Sequence, residues 1–476
     1  MNKKKLFWRI LIVGVILYGI TKGITNHVEM SRLAHDLRYG TQQQKIAAAR
    51  ELMERDRLFD IMQEMTRLER INIIRTVIRR MPGPMTVKQC LVLLKDPRVT
   101  VRNRVAAALV VLGRDHIDLL VPALKDSDEN VRKGVSNALV AIGPPAIPKV
   151  KEAVRAPETR AAASDVLIRI GEPSVPAFVE LLRDKDQDVR MTAAVCLGKI
   201  GSMKATPALI KSTRDIAAVR RVAISSLCTI CDPRATDIFI EVLSNPNDDG
   251  EVRARAARSL SVVGGEKAIK ALVAALTDFD LKVRTSVISS LQRVGAPAVG
   301  PVVAAMSGPR DLRRAAAAVL EKIDSPEAAK VLLVLASDPD PVIRLSAAKG
   351  LGEQTATLEL EPLVKLLGDP DGRVAEAAVD SLAYIGDKAI PKLVSVLSSN
   401  ASDVVKYRAC RALAVIGTNA TPALLKVLAS GGASSKWAAY ALGLIGDYRA
   451  KPSLEKMAKT ADPDLRWTIE RALQRL

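Results

Sequence analysis

The chain repeats itself about every thirty residues. The segment Val131-Arg132-Lys133-Gly134-Val135-Ser136-Asn137-Ala138-Leu139-Val140-Ala141-Ile142-Gly143 returns, with its spacing kept, at 189–201, 252–264 and 283–295. Aligning the leucine and the closing glycine puts one register position at Arg102, Arg132, Arg160, Arg190, Arg220, Arg253, Arg284, Arg313, Arg344, Ala375, Lys406, Ser435 and Arg466. Self-similarity at this period marks a stacked repeat array. In such an array each unit buries its apolar face only against its neighbours. Function then belongs to a long surface rather than to one pocket.

Composition agrees with short, closely packed helices. Hydrophobic residues make up 48% of the 476, yet aromatics only 3%. Ala, Leu, Val and Ile carry the core, whereas a sheet sandwich would draw more on aromatic side chains. Each unit reads as two helices. In the second, residues such as Val101, Val105, Ala108, Leu109 and Leu112 recur at helical spacing. Glycines at 113, 143, 171, 201, 264, 295, 386, 417 and 446 close these helices, where a left-handed turn is easiest without a Cβ. The first helix carries a proline near its start, at 148, 176, 207, 301, 391, 422 and 452, where a missing N–H costs nothing. The turn between the helices is acidic, as at Asp126-x-Asp128, Asp184-x-Asp186, Asp278-x-Asp280, Asp338-x-Asp340 and Asp369-x-Asp371. The second Asp of each pair is placed to cap the second helix.

This pattern, over residues 85–476 and about thirteen units, resembles HEAT repeats, in the short form named after bilin lyases. The resemblance implies an all-α solenoid, a right-handed superhelix of helix pairs with the second helices lining its inner face. It also implies a structural ladder in which a turn Asp and a basic residue six positions later link consecutive repeats: Asp96 and Arg102, Asp126 and Arg132, Asp184 and Arg190, Asp278 and Arg284, Asp338 and Arg344. Ala375 and Ser435 depart from it, although Arg373 and Lys436 lie close by, so the ladder is expected to weaken there.

Ahead of the repeats, residues 1–5 form a basic N-terminus and residues 6–24 an apolar stretch interrupted by Arg9 and Lys22. With Trp8 and Tyr18 near its ends, the stretch approaches the length of a transmembrane helix. No small-residue cleavage pattern follows it. The expectation is a signal anchor with its N-terminus in the cytoplasm and the repeats on the far side; a cleaved leader and an interfacial helix are the alternatives. Residues 25–84 are expected to hold juxtamembrane helices and degenerate capping repeats, with helices near Lys45–Leu52 and Arg70–Met81. The net charge is +19, and residues 1–100 hold 19 Lys and Arg against 9 Asp and Glu. This excess reads either as a solvated basic face or as a contact with anionic lipid near residues 30–100.

Catalytic constellations are missing from the sequence. The three histidines, His27, His35 and His116, belong to no metal motif, and no P-loop or nucleophile elbow occurs. Cys228 and Cys231 form a C-x-x-C, but Cys231 stands where a repeat closes on glycine, so helix-end packing explains it better than redox or zinc chemistry. No cofactor, metal or small-molecule substrate is expected, and nucleic acid is a weak fit because no aromatic interleaving accompanies the charge. The reading is a membrane-anchored scaffold that binds a protein partner, with a bilin lyase or isomerase as the enzymatic alternative. The candidate binding surface is the solvent side of the second helices: Asn103, Arg104, Lys133, Asn137, Arg255, Arg258, Ser289, Gln292, Arg293, Arg314, Glu321, Tyr407, Arg411 and Tyr440.

Overall fold

A computed structural model describes residues 28–55, 61, 83–354 and 359–476 of the chain. The expected anchor at residues 6–24 and the helix expected within Arg70–Met81 lie outside them. The described residues fall into two compact units, divided between Ile230 and Cys231. Every regular element among the described residues is helical.

The first unit opens with a helix over residues 28–39 and a second over Gln42–Glu54. Between them Thr41 and Gln44 cap reciprocally: the Gln44 side chain accepts from the Thr41 N–H at 2.8 Å, and the Thr41 hydroxyl accepts from the Gln44 N–H at 3.4 Å. Five helix pairs follow, closing on the second helices Val99–Leu112, Glu129–Ile142, Pro157–Ile170, Gln187–Ile200 and Ala217–Ile230. The second unit holds eight more pairs. Their second helices are Gly250–Val263, Leu281–Val294, Arg310–Leu320, Pro341–Glu353, Gly372–Ile385, Asp403–Ile416, Ala433–Ile445 and Pro463–Leu473.

Within each unit a second helix packs on the first helix of its own pair and on the next second helix. The core is aliphatic: Leu139, Leu197 and Leu260 share one register position and are fully buried. Small residues stand where second helices approach most closely. A Cβ on Gly352 would lie 2.5 Å from the Ser381 side chain, and one on Gly443 2.7 Å from the Ala472 Cα. Ser226 and Ser381 use that proximity to donate to the carbonyls of Ala194 and Ala348, at 2.8 and 2.9 Å.

Caps follow the acidic turns. Asp128, Asp186, Asp280, Asp340 and Asp371 each accept a backbone N–H two residues on. Two expectations need correction. Gly113 has φ −72°, because the chain runs on into a 3-10 turn over Gly113–Asp115 instead of reversing; its lack of a Cβ instead admits the Leu120 side chain. Pro301 lies inside the helix Ala296–Ala305 rather than in its first turn. The 3-10 turn that precedes other first helices has here fused with the α-helix, and Pro297 takes the N-terminal place.

Candidate functional site

The inter-repeat joints are built from the register arginines, and they differ from the ladder the sequence implies in where the carboxylate sits. Arg102, Arg132 and Arg284 each donate to the backbone carbonyls of the turn in their own repeat: Asp96 and Pro97, Asp126 and Ser127, Asp278 and Phe279. The carboxylate comes from the following repeat. Arg190 donates to the Asp184 carbonyl at 2.9 Å and grips Asp215 at 2.9 and 3.0 Å. Arg344 likewise donates to the Asp338 carbonyl at 2.9 Å and grips Asp369 at 2.7 and 2.9 Å. Arg253, only 2% exposed, reaches Asp278 at 2.6 and 3.0 Å and stacks on Phe279.

Electrostatics follow from these contacts. The Arg314 guanidinium, with Arg310 and the Val342 N–H, holds Asp340 well below the ordinary carboxylate range despite burial. Burial pushes Asp369 up, but Arg344 and the Asp371 N–H outweigh it and the net shift is downward. At the two irregular joints other groups step in. The Ser435 hydroxyl donates toward the Leu428 and Val427 carbonyls, at 3.0 and 3.3 Å. Beside Ala375, Arg408 from the next repeat donates to the Leu367 carbonyl at 2.5 Å. Arg373 turns back to its own Asp371, and Lys436 meets Asp464 at 3.2 Å.

The solvent face of the second helices sorts the remaining candidates. Asn103, Arg104, Ser289 and Arg293 are exposed. Lys133 pairs with Glu129, Asn137 accepts from Arg169, and Arg255 and Arg258 both face Glu251. Gln292 donates to the Ala318 carbonyl and Arg314 grips Asp340, so both serve joints rather than an open surface. Glu321 is half-buried, and desolvation raises its pKa against the opposing pull of Lys349.

Two features stand out between the middle of the second unit and its C-terminal end. A groove of about 780 Å³ runs between the helices Pro341–Glu353 and Gly372–Ile385. Leu345, Lys349, Glu353, Arg373, Glu376, Asp380 and Tyr384 line it, and Tyr384 is 79% exposed. Beyond it lies an aromatic patch. The Tyr407 and Tyr440 rings are 6.0 Å apart, Trp437 meets Tyr440 edge-on at 6.3 Å, and Arg471 lies over Trp467 at 4.9 Å. Arg411 joins this patch to the groove through Glu376. Sequence reasoning singled out Tyr407, Arg411 and Tyr440 but missed Tyr384, Trp437 and Trp467. The signal was present in the sequence: among the described residues, every Trp and every Tyr except Tyr39 falls between 384 and 467. The groove lining includes no obvious nucleophile paired with a base, and the described residues form no group of three or more His, Cys, Asp or Glu able to hold a metal. Cys90, Cys196 and Cys410 are buried thiols whose pKa values burial pushes up, to about 12, 11 and 12, so they are poor nucleophiles.

Comparison with known proteins places the chain among repeat proteins. The family profile described as HEAT repeats matches residues 87–159, 155–228, 215–292, 299–383, 360–435 and 390–474. A relative from Pseudanabaena tenuis, described as "Uncharacterized phycocyanin operon protein Z", is 25% identical over 178 residues, covering 35% of this chain and 87% of its own. Crystal structures of Kap121p alone and of Kap121p bound to Pho4p are 14% identical, with TM-scores of 0.46 and 0.47 over 94% of this chain. This chain spans 56% of the length of those structures.

Proposed function

We propose that this chain, which belongs to the HEAT-repeat family, is a membrane-anchored scaffold whose second-helix face docks a protein partner. The supporting observation is that Tyr384, Tyr407 and Trp467 stand exposed on second helices of the second unit, with Tyr440 packed beside Tyr407 and Arg471 over Trp467. Tyr, Trp and Arg dominate interface hot spots because they bury large area with few rotatable bonds and keep a polar tip. Anchoring rests on the apolar stretch at 6–24 alone. No single helix among the described residues is long and apolar enough to cross a membrane. For lipid contact near residues 30–100, the described residues 28–55 and 83–100 carry eight Lys and Arg against five Asp and Glu, a small basic excess.

If the face is a scaffold, binding draws on several adjacent repeats. Removing repeats from the C-terminus, with a polar capping helix restored each time, then weakens partner binding in steps. The largest step comes when the helices carrying Tyr407, Tyr440 and Trp467 go. Single reversals at Arg258 or Arg293 cost little. A second reading, a bilin lyase, is favoured only by the relative named for a phycocyanin operon. Covalent transfer of a bilin to an acceptor protein, abolished by one point substitution that leaves partner binding intact, would replace the scaffold reading with it.

A further inference from the structure

The face of the second helices is not uniform in charge, and the order of its charges describes what fits it. Counting from the register position, the residues one, five and nine places on form a single stripe along each second helix. In the last three second helices these are Tyr407, Arg411 and Val415; Lys436, Tyr440 and Leu444; Trp467, Arg471 and Arg475. Nine positions thus hold aromatic, aliphatic and basic side chains, and no carboxylate. On the two preceding helices the same stripe holds Glu353, Glu376 and Asp380, the only acidic residues in it anywhere in the second unit.

From this pattern we propose, resting on the scaffold reading, that the last three second helices dock an acidic segment of a partner protein that carries aromatic or aliphatic side chains between its carboxylates. Arg411 and Lys436 already meet Glu376 and Asp464, so Arg471 and Arg475 are the basic groups placed to receive it. Arg471 is spread over the Trp467 ring, which leaves its N–H groups free to meet a carboxylate beside an apolar anchor. Trp467 is 58% exposed and Val415 69%, so apolar area remains for a partner to cover. The three carboxylates of the adjoining groove bound the site. They repel a run of acid that extends past Arg411 and thereby set the register of the segment.

The same chemistry separates a protein from a nucleic acid. Bases need rings that stand apart to receive them, whereas Tyr407, Tyr440 and Trp437 already pack against one another. A phosphate backbone continuing along the stripe would meet Glu376 and Asp380 at once.

Fluorescence anisotropy with the full chain tests the proposal. The probe is a labelled peptide of alternating Glu with Phe and Leu. The comparison ligands are the same peptide with Lys for Glu, the same with Ser for Phe and Leu, and a single-stranded oligothymidylate. The expected result is that the first peptide binds about tenfold or more tightly than each of the others. Arg471→Glu with Arg475→Glu should then weaken it by about tenfold, and Tyr407→Ala with Trp467→Ala similarly. Lys330→Glu with Lys426→Glu, exposed on first helices and off the proposed face, should change it less than about threefold and serves as the folded control. Charge reversal at two exposed side chains leaves the core untouched; should the aromatic pair unfold, the arginine pair and a loss of affinity with added salt still decide the matter. Equal binding of the Lys peptide, indifference to the arginine pair, or preference for the oligothymidylate overturns the proposal. Stepwise loss of a natural partner in the truncation series alongside any of these would leave the scaffold standing and remove only the acidic-segment chemistry.

Discussion

At the scale of the single residue, the register arginine is legible from sequence, but its partner is not. The six-residue spacing from Asp338 to Arg344 is a fact of the chain; that Arg344 takes the carbonyl of Asp338 and the carboxylate of Asp369 is a fact of stacking. Local spacing identifies which groups share a turn, and only the packed neighbour decides which carboxylate the guanidinium can reach. The two kinds of rung should therefore respond differently to truncation. Arg344→Ala removes a bidentate partner from a nearly buried Asp369 and should cost about 3 kcal/mol. Arg102→Ala loses only hydrogen bonds to the Asp96 and Pro97 carbonyls, with no buried carboxylate left unpaired, and should cost about 1 kcal/mol. Arg344→Lys should not restore the loss, because an ammonium cannot grip two oxygens and a carbonyl at once. Urea denaturation of the three variants checks the order. Cys231 is the residue whose role sequence placed well: it fills a glycine position with φ +51°, the one positive φ outside glycine among the described residues. Relieving that backbone should make Cys231→Gly more stable by about 1 kcal/mol; a decrease in the denaturation midpoint would refute the strain.

At the scale of the helix, existence and order were readable because an aliphatic stripe at helical spacing recurs in every repeat and an acidic turn precedes it in many, though not before Pro157, Arg310 or Ala433. Boundaries were less readable where a 3-10 turn merges with its neighbour, as at Gly113 and Pro301, since propensity does not separate i+3 from i+4 hydrogen bonding. Helix cores should be costly to truncate. Leu139→Ala, Leu197→Ala or Leu260→Ala should each lose about 2–5 kcal/mol through transfer and cavity terms, while Lys133→Ala on the opposite face stays within about 0.5 kcal/mol. The caps also fix a pH dependence. Asp184, Asp215, Asp340, Asp369 and Asp447 all have folded pKa values below the ordinary aspartate value, chiefly through arginine hydrogen bonds that outweigh burial at Asp369. A depressed folded pKa contributes stability that is complete above the unfolded value, near 4, and is lost as pH falls through the folded one. Thermal midpoints should accordingly hold from neutrality to about pH 5 and fall steeply below about pH 4. Glu321 has the opposite sign. Burial raises its pKa, so ionisation opposes folding at neutral pH. Glu321→Gln should raise the midpoint at pH 7 and make no difference at pH 3, where both states hold the proton.

At the scale of the whole molecule, the repeat predicts its own continuation, while the surface it displays carries no such redundancy. Any aliphatic residue of suitable size keeps a repeat folded, so the buried register is written many times over. A surface is written once, in the side chains left outside, and Tyr384, Trp437 and Trp467 look ordinary in sequence until stacking places Trp437 against Tyr440 and leaves Tyr384 and Trp467 exposed. The same reasoning governs topology, the property that the repeats do not influence. Lys3, Lys4 and Lys5 precede the apolar stretch at 6–24, and positive charge retained on the cytoplasmic side of a first span sets its orientation. If the stretch spans a membrane as proposed, the repeat body behind it carries mixed charge and exerts little opposing influence, because long domains translocate largely regardless of charge. The expected arrangement is N-in, with all repeats beyond the membrane. Fusing a reporter active only in the cytoplasm, and another active only outside it, after Leu476 decides the matter. Activity of the second alone, from a chain whose N-terminus is intact, is the expected outcome. Activity of the cytoplasmic reporter would place the docking face on the other side of the membrane and change which partners can reach it. A mature chain beginning beyond residue 20 would leave the repeats outside the cytoplasm but without an anchor. Replacing Lys3, Lys4 and Lys5 by Glu should shift part of the population to the inverted orientation, a change that no feature of the repeats would by itself produce.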